Sequence, residues 1–307
     1  MSSPASAIAL RLASAPCTWG VWERTIGRAD LIPPDRMLAL VRGLGYTGIE
    51  LGPPGYFGAD AESVSELLGS YRLELVGAFA PLRIDDEEGF REDLAFLDRT
   101  IEILAATGAR GPVVLAGAEN DARLAIAGRP ERTRENGLKG DDFKRAADRI
   151  ERAAGRARAG GVAAAFHPET GSYIEHPDEV AALLDATDPA LVTLAFDTGH
   201  AVVGGGDPVE LAHAARDRIG HLHLKDVDPV ALAHVRSGEL TVGEAWDSGM
   251  FCPFGEGNVD FAGVLAALQG FDGWAVVEQD RVAVLLDDLD SIRDVEERNL
   301  AVLASLS

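Results

Sequence analysis

The chain predicts an α/β architecture, a (β/α)8 barrel formed by one domain over residues 1–307. Three observations carry this expectation. Short apolar runs alternate with longer stretches of helical periodicity through eight rounds. No hairpin signal joins neighbouring runs, and eight such rounds favour parallel strands closed into a barrel over an open doubly wound sheet. Several of the later runs finish on acids and histidines, as in LVTLAFDTGH (191–200), RIGHLHLKD (218–226) and GWAVVEQD (273–280). A buried strand has no reason to end so unless something at that end binds these groups, and a parallel barrel gathers all such ends at one mouth.

In chain order, the first strand is expected at 8–16 (ALRLASAPC), followed by a helix in PPDRMLALVRGLG (33–45) that closes on Gly45. Strands two to four are expected at 47–52 (TGIELG), 73–80 (LELVGAFA) and 112–117 (PVVLAG), with Gly108 ending the helix before the fourth. The segment 141–161 (DDFKRAADRIERAAGRARAGG) reads as a helix stopped by Gly160 and Gly161, leading into a fifth strand at 162–167 (VAAAFH). The last three strands fall at 191–197, 219–225 and 274–279. Two connections exceed what a barrel needs, 118–140 and 227–258, both after strands and therefore on the catalytic face. They are candidate lids or substrate walls. Their alternative use is contact between copies in a homo-oligomer or, for the first, a mobile loop.

With 307 residues and 47% apolar content the chain can bury a large core. A net charge of −22 argues against nucleic acid or an anionic membrane as partner, because both require a basic surface. No apolar run reaches the roughly 20 residues that span a bilayer. Cys17 and Cys252 have no CxxC partner and make no disulfide framework, so a reducing, cytoplasmic setting is expected. The opening MSSPASAIALRLASAP lacks the basic region of a secretory leader.

Asp, His and Glu are ligands that a catalytic divalent metal takes. Asp197 ends strand six; its plain alternative is a helix N-cap. His200, three residues on, can face the same pocket. His221 and His223 alternate along strand seven and so share a face. His223 points into the mouth, whereas His221, one layer lower, suits a hydrogen-bonded core histidine. Lys225 shares that face and is expected at the rim. Glu278 is costly after an apolar run unless it is paired or ligated. Strand five supplies His167, Glu169 and Glu175 without saying which of them binds. Together these residues indicate a metal-dependent enzyme acting on a small polyhydroxylated substrate.

The segments GYTGIELGPPGYFG (45–58), HPETGSYIEHPDEVAALLDATDP (167–189), FDTGHAVVGGGDP (196–208), HLHLKDV (221–227), PFGEGNVDF (253–261) and GWAVVEQD (273–280) resemble, in order and over nearly the whole chain, the xylose-isomerase-like TIM barrel enzymes. The likeness is greatest to inosose dehydratases and their sugar phosphate isomerase/epimerase relatives. It implies a divalent metal, manganese first, with cobalt, magnesium or zinc as alternatives. The implied ligands are Asp197, His223 and Glu278, with Glu175 as the fourth and His167 and Glu169 as its rivals. The shared chemistry is removal of a proton next to a carbonyl, with Glu175, His200 and His167 as candidate bases. Departure of a β-hydroxyl would make a dehydratase, and re-protonation an isomerase or epimerase. A 3-keto-glycoside eliminase and a non-catalytic sugar-binding barrel are the alternatives. Trp19, Glu50 and Lys225 are expected to line the sugar pocket, Glu256 to cover it and Asp226 to orient the His223 imidazole. Arg123, Arg129 and Arg132 are expected to be solvated, which favours an unphosphorylated substrate.

Overall fold

The computed structural model describes residues 10–281 and 288–306, so residues 8 and 9 of the expected first strand lie outside the described residues. Eight parallel strands close a barrel in which each neighbours the next in sequence and the last returns to the first. They are β1 (Arg11–Ser14), β2 (Gly48–Glu50), β3 (Glu74–Leu82), β4 (Val113–Gly117), β5 (Ala164–His167), β6 (Val192–Asp197), β7 (Ile219–Leu224) and β8 (Trp274–Val277). All eight expected strands are present. β3 alone runs past its expected end, and β1 stops early because Pro16–Trp19 turns into a 3-10 helix.

The helices between strands follow from their sequences. Pro34–Gly43 and Gly140–Ala159 occupy the expected segments. Gly108 and Gly161 terminate helices at φ 67° and 80°, values that a residue without a Cβ adopts freely. The two long connections are not bare loops. Residues 118–140 contain helices Asp121–Leu124 and Pro130–Glu135, and residues 227–258 contain helices Pro229–Ser237 and Val242–Asp247. The latter connection also folds an antiparallel ladder, Asp226–Val227 against Phe251–Cys252. Strands of two residues are too short to leave a periodic signal, so the sequence shows no hairpin there.

Alternation sorts the barrel residues. The main apolar cluster fills the layer between strands and helices. Two small clusters stand apart from it: Ala13, Ala15, Val76, Trp274 and Val276, and then Val114, Ala165 and Ala195. Two residues further along the same strands come His167, Asp197 and Glu278, each buried. Small interior residues low in the barrel thus lead to polar residues at its carboxyl-end mouth. Trp274 plugs the base, and a Cβ at Gly48 would come within 2.9 Å of its ring.

Candidate active site

The ends of β5 to β8 bring His167, Asp197, His223 and Glu278 together. Asp197 stands beside His223 in the β6–β7 ladder, and His223 beside Val276 in the β7–β8 ladder. Asp197 divides its oxygens between two tasks. Oδ1 accepts the His200 N–H at 2.9 Å and caps helix Thr198–Val203, while Oδ2 lies 3.5 Å from His167 Nε2 and 3.7 Å from His223 Nδ1. The other side of His223 Nδ1 meets Glu278 Oε2 at 3.1 Å.

Glu50 serves the histidines. Its Oε1 lies 3.1 Å from His223 Nε2 and 2.8 Å from His221 Nε2. A carboxylate on Nε2 leaves Nδ1 to face Asp197 and Glu278, the arrangement that orients a ligating imidazole. Gly77 makes room for it, since a Cβ there would lie 2.6 Å from Glu50 Oε1. Glu50 also borders the cavity at the mouth. Asp226 does not take the orienting part expected of it. Its carboxylate accepts the N–H groups of Gly255, Gly257 and Val259 at 2.9–3.1 Å and shapes that turn.

Lys225 borders the cavity at the mouth, as expected of it, but among carboxylates and not in solvent. It is buried, and its Nζ lies 3.2 Å from Asp197 Oδ2 and 3.0 Å from both Glu278 Oε2 and Asp280 Oδ2. Gly199 permits this approach, because a Cβ there would stand 2.6 Å from the lysine Cβ. A cation therefore already sits among these carboxylates. His200 Nδ1 receives the Thr170 N–H at 3.2 Å and lies 2.8 Å from the Thr170 hydroxyl. The Thr170 N–H makes Nδ1 an acceptor, and Nε2 on the other side of the ring lies 3.2 Å from Lys225 Nζ. Glu169 lies between two rings, 3.4 Å from His167 Nδ1 and 3.6 Å from His200 Nδ1.

Electrostatics follow from burial and pairing. Burial disfavours a charged His167, but the Asp197 and Glu169 carboxylates outweigh it and hold that imidazole at about 9. Burial, with the Lys225 ammonium adding to it, pushes His200 down to about 4. Glu169 and Glu278 are each held at about 2 against burial, the first chiefly by His200 and His167, the second by His223 and Lys225. Asp280 is pushed up to about 6 by burial, with repulsion from Glu278 also contributing.

The donor set suits a divalent ion. Carboxylate and imidazole atoms of His167, Asp197 and His223 converge within 4.8 Å of one another. His167 Nδ1 and Glu278 Oε2 are buried without a hydrogen bond, held instead by charge, the first beside Glu169 and the second beside His223 and Lys225. Glu175 is not brought into this group. Its Oε1 accepts the Gly128 N–H and its Oε2 the Gly171 N–H, both at 2.9 Å, so both oxygens are taken by backbone.

The expected pocket lining also changes. Trp19 is fully buried, donating to the Ser14 hydroxyl at 3.1 Å, and Glu256 is exposed on the turn around Asp226. The aromatic walls are Trp22, Phe79 and Trp246 instead. Trp246, from the second long connection, stands edge-on to both His200 and Trp22, at 6.0 and 6.3 Å between ring centroids. Phe79 carried a signal in the sequence, as a large apolar residue near the end of a barrel strand. Trp22 and Trp246 lie in connections, where no periodicity points to a direction. Arg123 is buried rather than solvated, bonded to Ser172 O, Thr133 O and Glu179 at 2.6–2.9 Å, and so it faces no ligand.

Comparison with known proteins adds kinship to this geometry. Residues 38–295 match the family profile described as xylose isomerase-like TIM barrel. An inosose dehydratase of Geobacillus kaustophilus is 33% identical over 276 residues, 88% of this chain and 87% of the relative. The rhizopine catabolism protein MocC of Rhizobium meliloti is 32% identical over 281 residues, 90% of this chain and 83% of the relative. Among solved structures, the IOLI protein with a bound zinc atom superposes with a TM-score of 0.69 at 17% identity, covering 96% of this chain and 98% of that one.

Proposed function

The chain belongs to the xylose isomerase-like TIM barrel family, and from that premise we propose a divalent-metal-dependent dehydratase that removes a proton beside the ketone of a keto-inositol or related sugar and expels a β-hydroxyl as water. Kinship with an inosose dehydratase over most of both chains supports an enzyme that modifies sugars or inositols. The observation that carries the metal is the convergence of buried Asp197, His223 and Glu278 at the barrel mouth. His167 is the fourth donor in this reading, in the place expected of Glu175, because it meets Asp197 and His223 where Glu175 does not. Manganese is the first candidate. A bound divalent ion would supply Lewis-acid polarisation of the substrate carbonyl.

The chain's own groups do the rest. Glu50 fixes the His223 ring, so that Nδ1 rather than Nε2 faces the neighbouring carboxylates. Glu169 takes the proton, since its carboxylate borders the cavity, 3.4 Å from His167 Nδ1 and 3.6 Å from His200 Nδ1. His200 is neutral, with Nε2 3.2 Å from Lys225 Nζ, and the Lys225 ammonium supplies a cationic donor to a substrate oxygen. Trp22 and Trp246 shield these groups from bulk water.

Proton NMR in D2O tests the reaction. The manganese-loaded protein is incubated with an inosose and with a ketohexose beside a no-enzyme control, and the metal is chelated before acquisition. Loss of water from the inosose to an unsaturated or dicarbonyl product is expected. Deuterium entering next to the carbonyl with the skeleton intact would instead mean an isomerase or epimerase, and no change in either would sink the assignment.

A further inference from the structure

Cys17 borders the cavity at the mouth, and the reaction proposed above gives its thiol no part. It lies in the 3-10 helix Pro16–Trp19 that follows β1, and backbone bonds lace this turn to the end of β8. Cys17 O accepts the Arg281 N–H at 3.3 Å, and the Thr18 hydroxyl accepts the Gln279 N–H at 3.2 Å. The thiol is thereby held against the two acids that flank Gln279. It donates to Glu278 Oε1 at 3.5 Å. Cys17 Sγ and one oxygen each from Glu278 and Asp280 lie within 4.8 Å of one another.

Both acids divide their oxygens. Glu278 Oε2 and Asp280 Oδ2 each lie 3.0 Å from Lys225 Nζ. Of the remaining two, Glu278 Oε1 meets the thiol, and Asp280 Oδ1 is buried and makes no hydrogen bond. An unpaired carboxylate oxygen on a residue only 3% exposed calls for a further cation or donor. Lys225 does not answer it, because the same ammonium also serves Asp197 Oδ2 at 3.2 Å. Three carboxylates share that one lysine charge. One sulfur and two carboxylate oxygens beside a cavity match an open tetrahedral site, with three protein donors and a position left for solvent. The sulfur decides the class of ion. Thiolate favours zinc and its chemical stand-in cobalt(II), whereas magnesium and manganese favour oxygen alone.

We propose that Cys17, Glu278 and Asp280 hold a second divalent ion, of the thiophilic zinc class, beside the Asp197–His223–Glu278 cluster. Glu278 belongs to both donor sets and bridges them. Burial, then Glu278 and Asp280, push the free thiol up. A divalent ion reverses that field, and the thiol proton leaves to solvent as the sulfur–metal bond forms. The site is independent of the reaction assigned to the neighbouring cluster.

Cobalt(II) is the probe, because a thiolate bound to it gives a near-ultraviolet charge-transfer band that oxygen and nitrogen ligands do not. The reduced, chelator-stripped full chain is titrated with it. The band is expected in the parent and in Cys252→Ser. It should be absent from Cys17→Ser, which should bind one cobalt fewer by elemental analysis. Asp280→Asn should weaken the sulfur site at least about tenfold. His223→Ala, which breaks the neighbouring cluster, should leave the band in place. No band in the parent, or a band that survives Cys17→Ser, would overturn the site. Should Cys17→Ser misfold, X-ray absorption of the zinc-loaded parent decides: a sulfur at about 2.3 Å supports the site, and a shell of oxygen and nitrogen alone overturns it. A cobalt band without α-proton exchange in D2O would leave the site standing and remove the dehydratase reading. Exchange without a band would do the opposite.

Discussion

Glu175 and Asp197 are both buried acids, and their surroundings separate their uses. Glu175 spends both oxygens on the Gly128 and Gly171 amides, which tie the first long connection to the segment after β5. Burial raises its pKa, and those two amides pull the other way. A Gln at 175 would turn its amide nitrogen toward one backbone N–H. Glu175→Gln is therefore expected to cost about 1–3 kcal/mol in urea unfolding while metal content, measured by elemental analysis, stays the same. Loss of the metal would restore Glu175 to the ligand set. Asp197 differs in spending only Oδ1 on the backbone, which reconciles the N-cap reading of its sequence with the functional one. The motif around 167–175 was legible as a ligand-rich stretch. Which acid faced inward was not, because β5 ends at His167 and the chain turns before Glu175.

At the scale of elements, the eight strands were readable because short apolar runs bounded by turn residues leave little other choice. The mouth followed from the period of two: Ala165 and His167, Ala195 and Asp197, Val276 and Glu278 share their inward face. Ion pairs that sequence cannot register across long separations also link neighbouring helices of the apolar-packed outer layer. Glu87 is one such link: its carboxylate meets Arg152 at 3.1 Å and Arg149 at 3.0 Å, joining helix Glu87–Thr107 to helix Gly140–Ala159. Arg152, then Arg149, hold Glu87 at about 2, below its ordinary 4.5. A depressed acid stabilises the fold above its unfolded value and loses that contribution as pH falls through the folded one. Urea midpoints of the parent and Glu87→Gln should therefore differ at pH 7, and the gap should close between about pH 4.5 and 2. A gap independent of pH would assign the effect to packing.

For the molecule as a whole, the cluster is where four separate barrel strands end, so a cation bound there joins parts of the chain far apart in sequence. An ion that binds the folded state alone stabilises it by about 2.7 kcal/mol at a hundred times its Kd. For a chain of this size that corresponds to a rise of roughly 4 °C in Tm. Chelation should lower Tm by that amount and manganese should restore it in differential scanning calorimetry. An unchanged Tm, with elemental analysis showing that chelation had removed the ion, would argue against a metal that bridges these strands. The net charge of −22 adds to this expectation, since an acidic chain gains from a bound cation.

The sequence by itself determined the barrel, its eight strands, the family resemblance and the gathering of Asp197, His223 and Glu278 at one mouth. The barrel and its mouth follow from local periodicity and from the rule that parallel strands end together, and the resemblance follows from the motifs that match in order along the chain. Only the tertiary structure decided that Glu50 backs His223, that Lys225 lies among the carboxylates and that Trp22 and Trp246, not Trp19, wall the site. Glu256 likewise turned outward once Asp226 drew the neighbouring amides to itself. These outcomes depend on side-chain directions in connections and on contacts between residues far apart in sequence, 173 positions for Glu50 and His223. Periodicity carries no information at that range, because burial and hydrogen bonding there are settled only when the strands close.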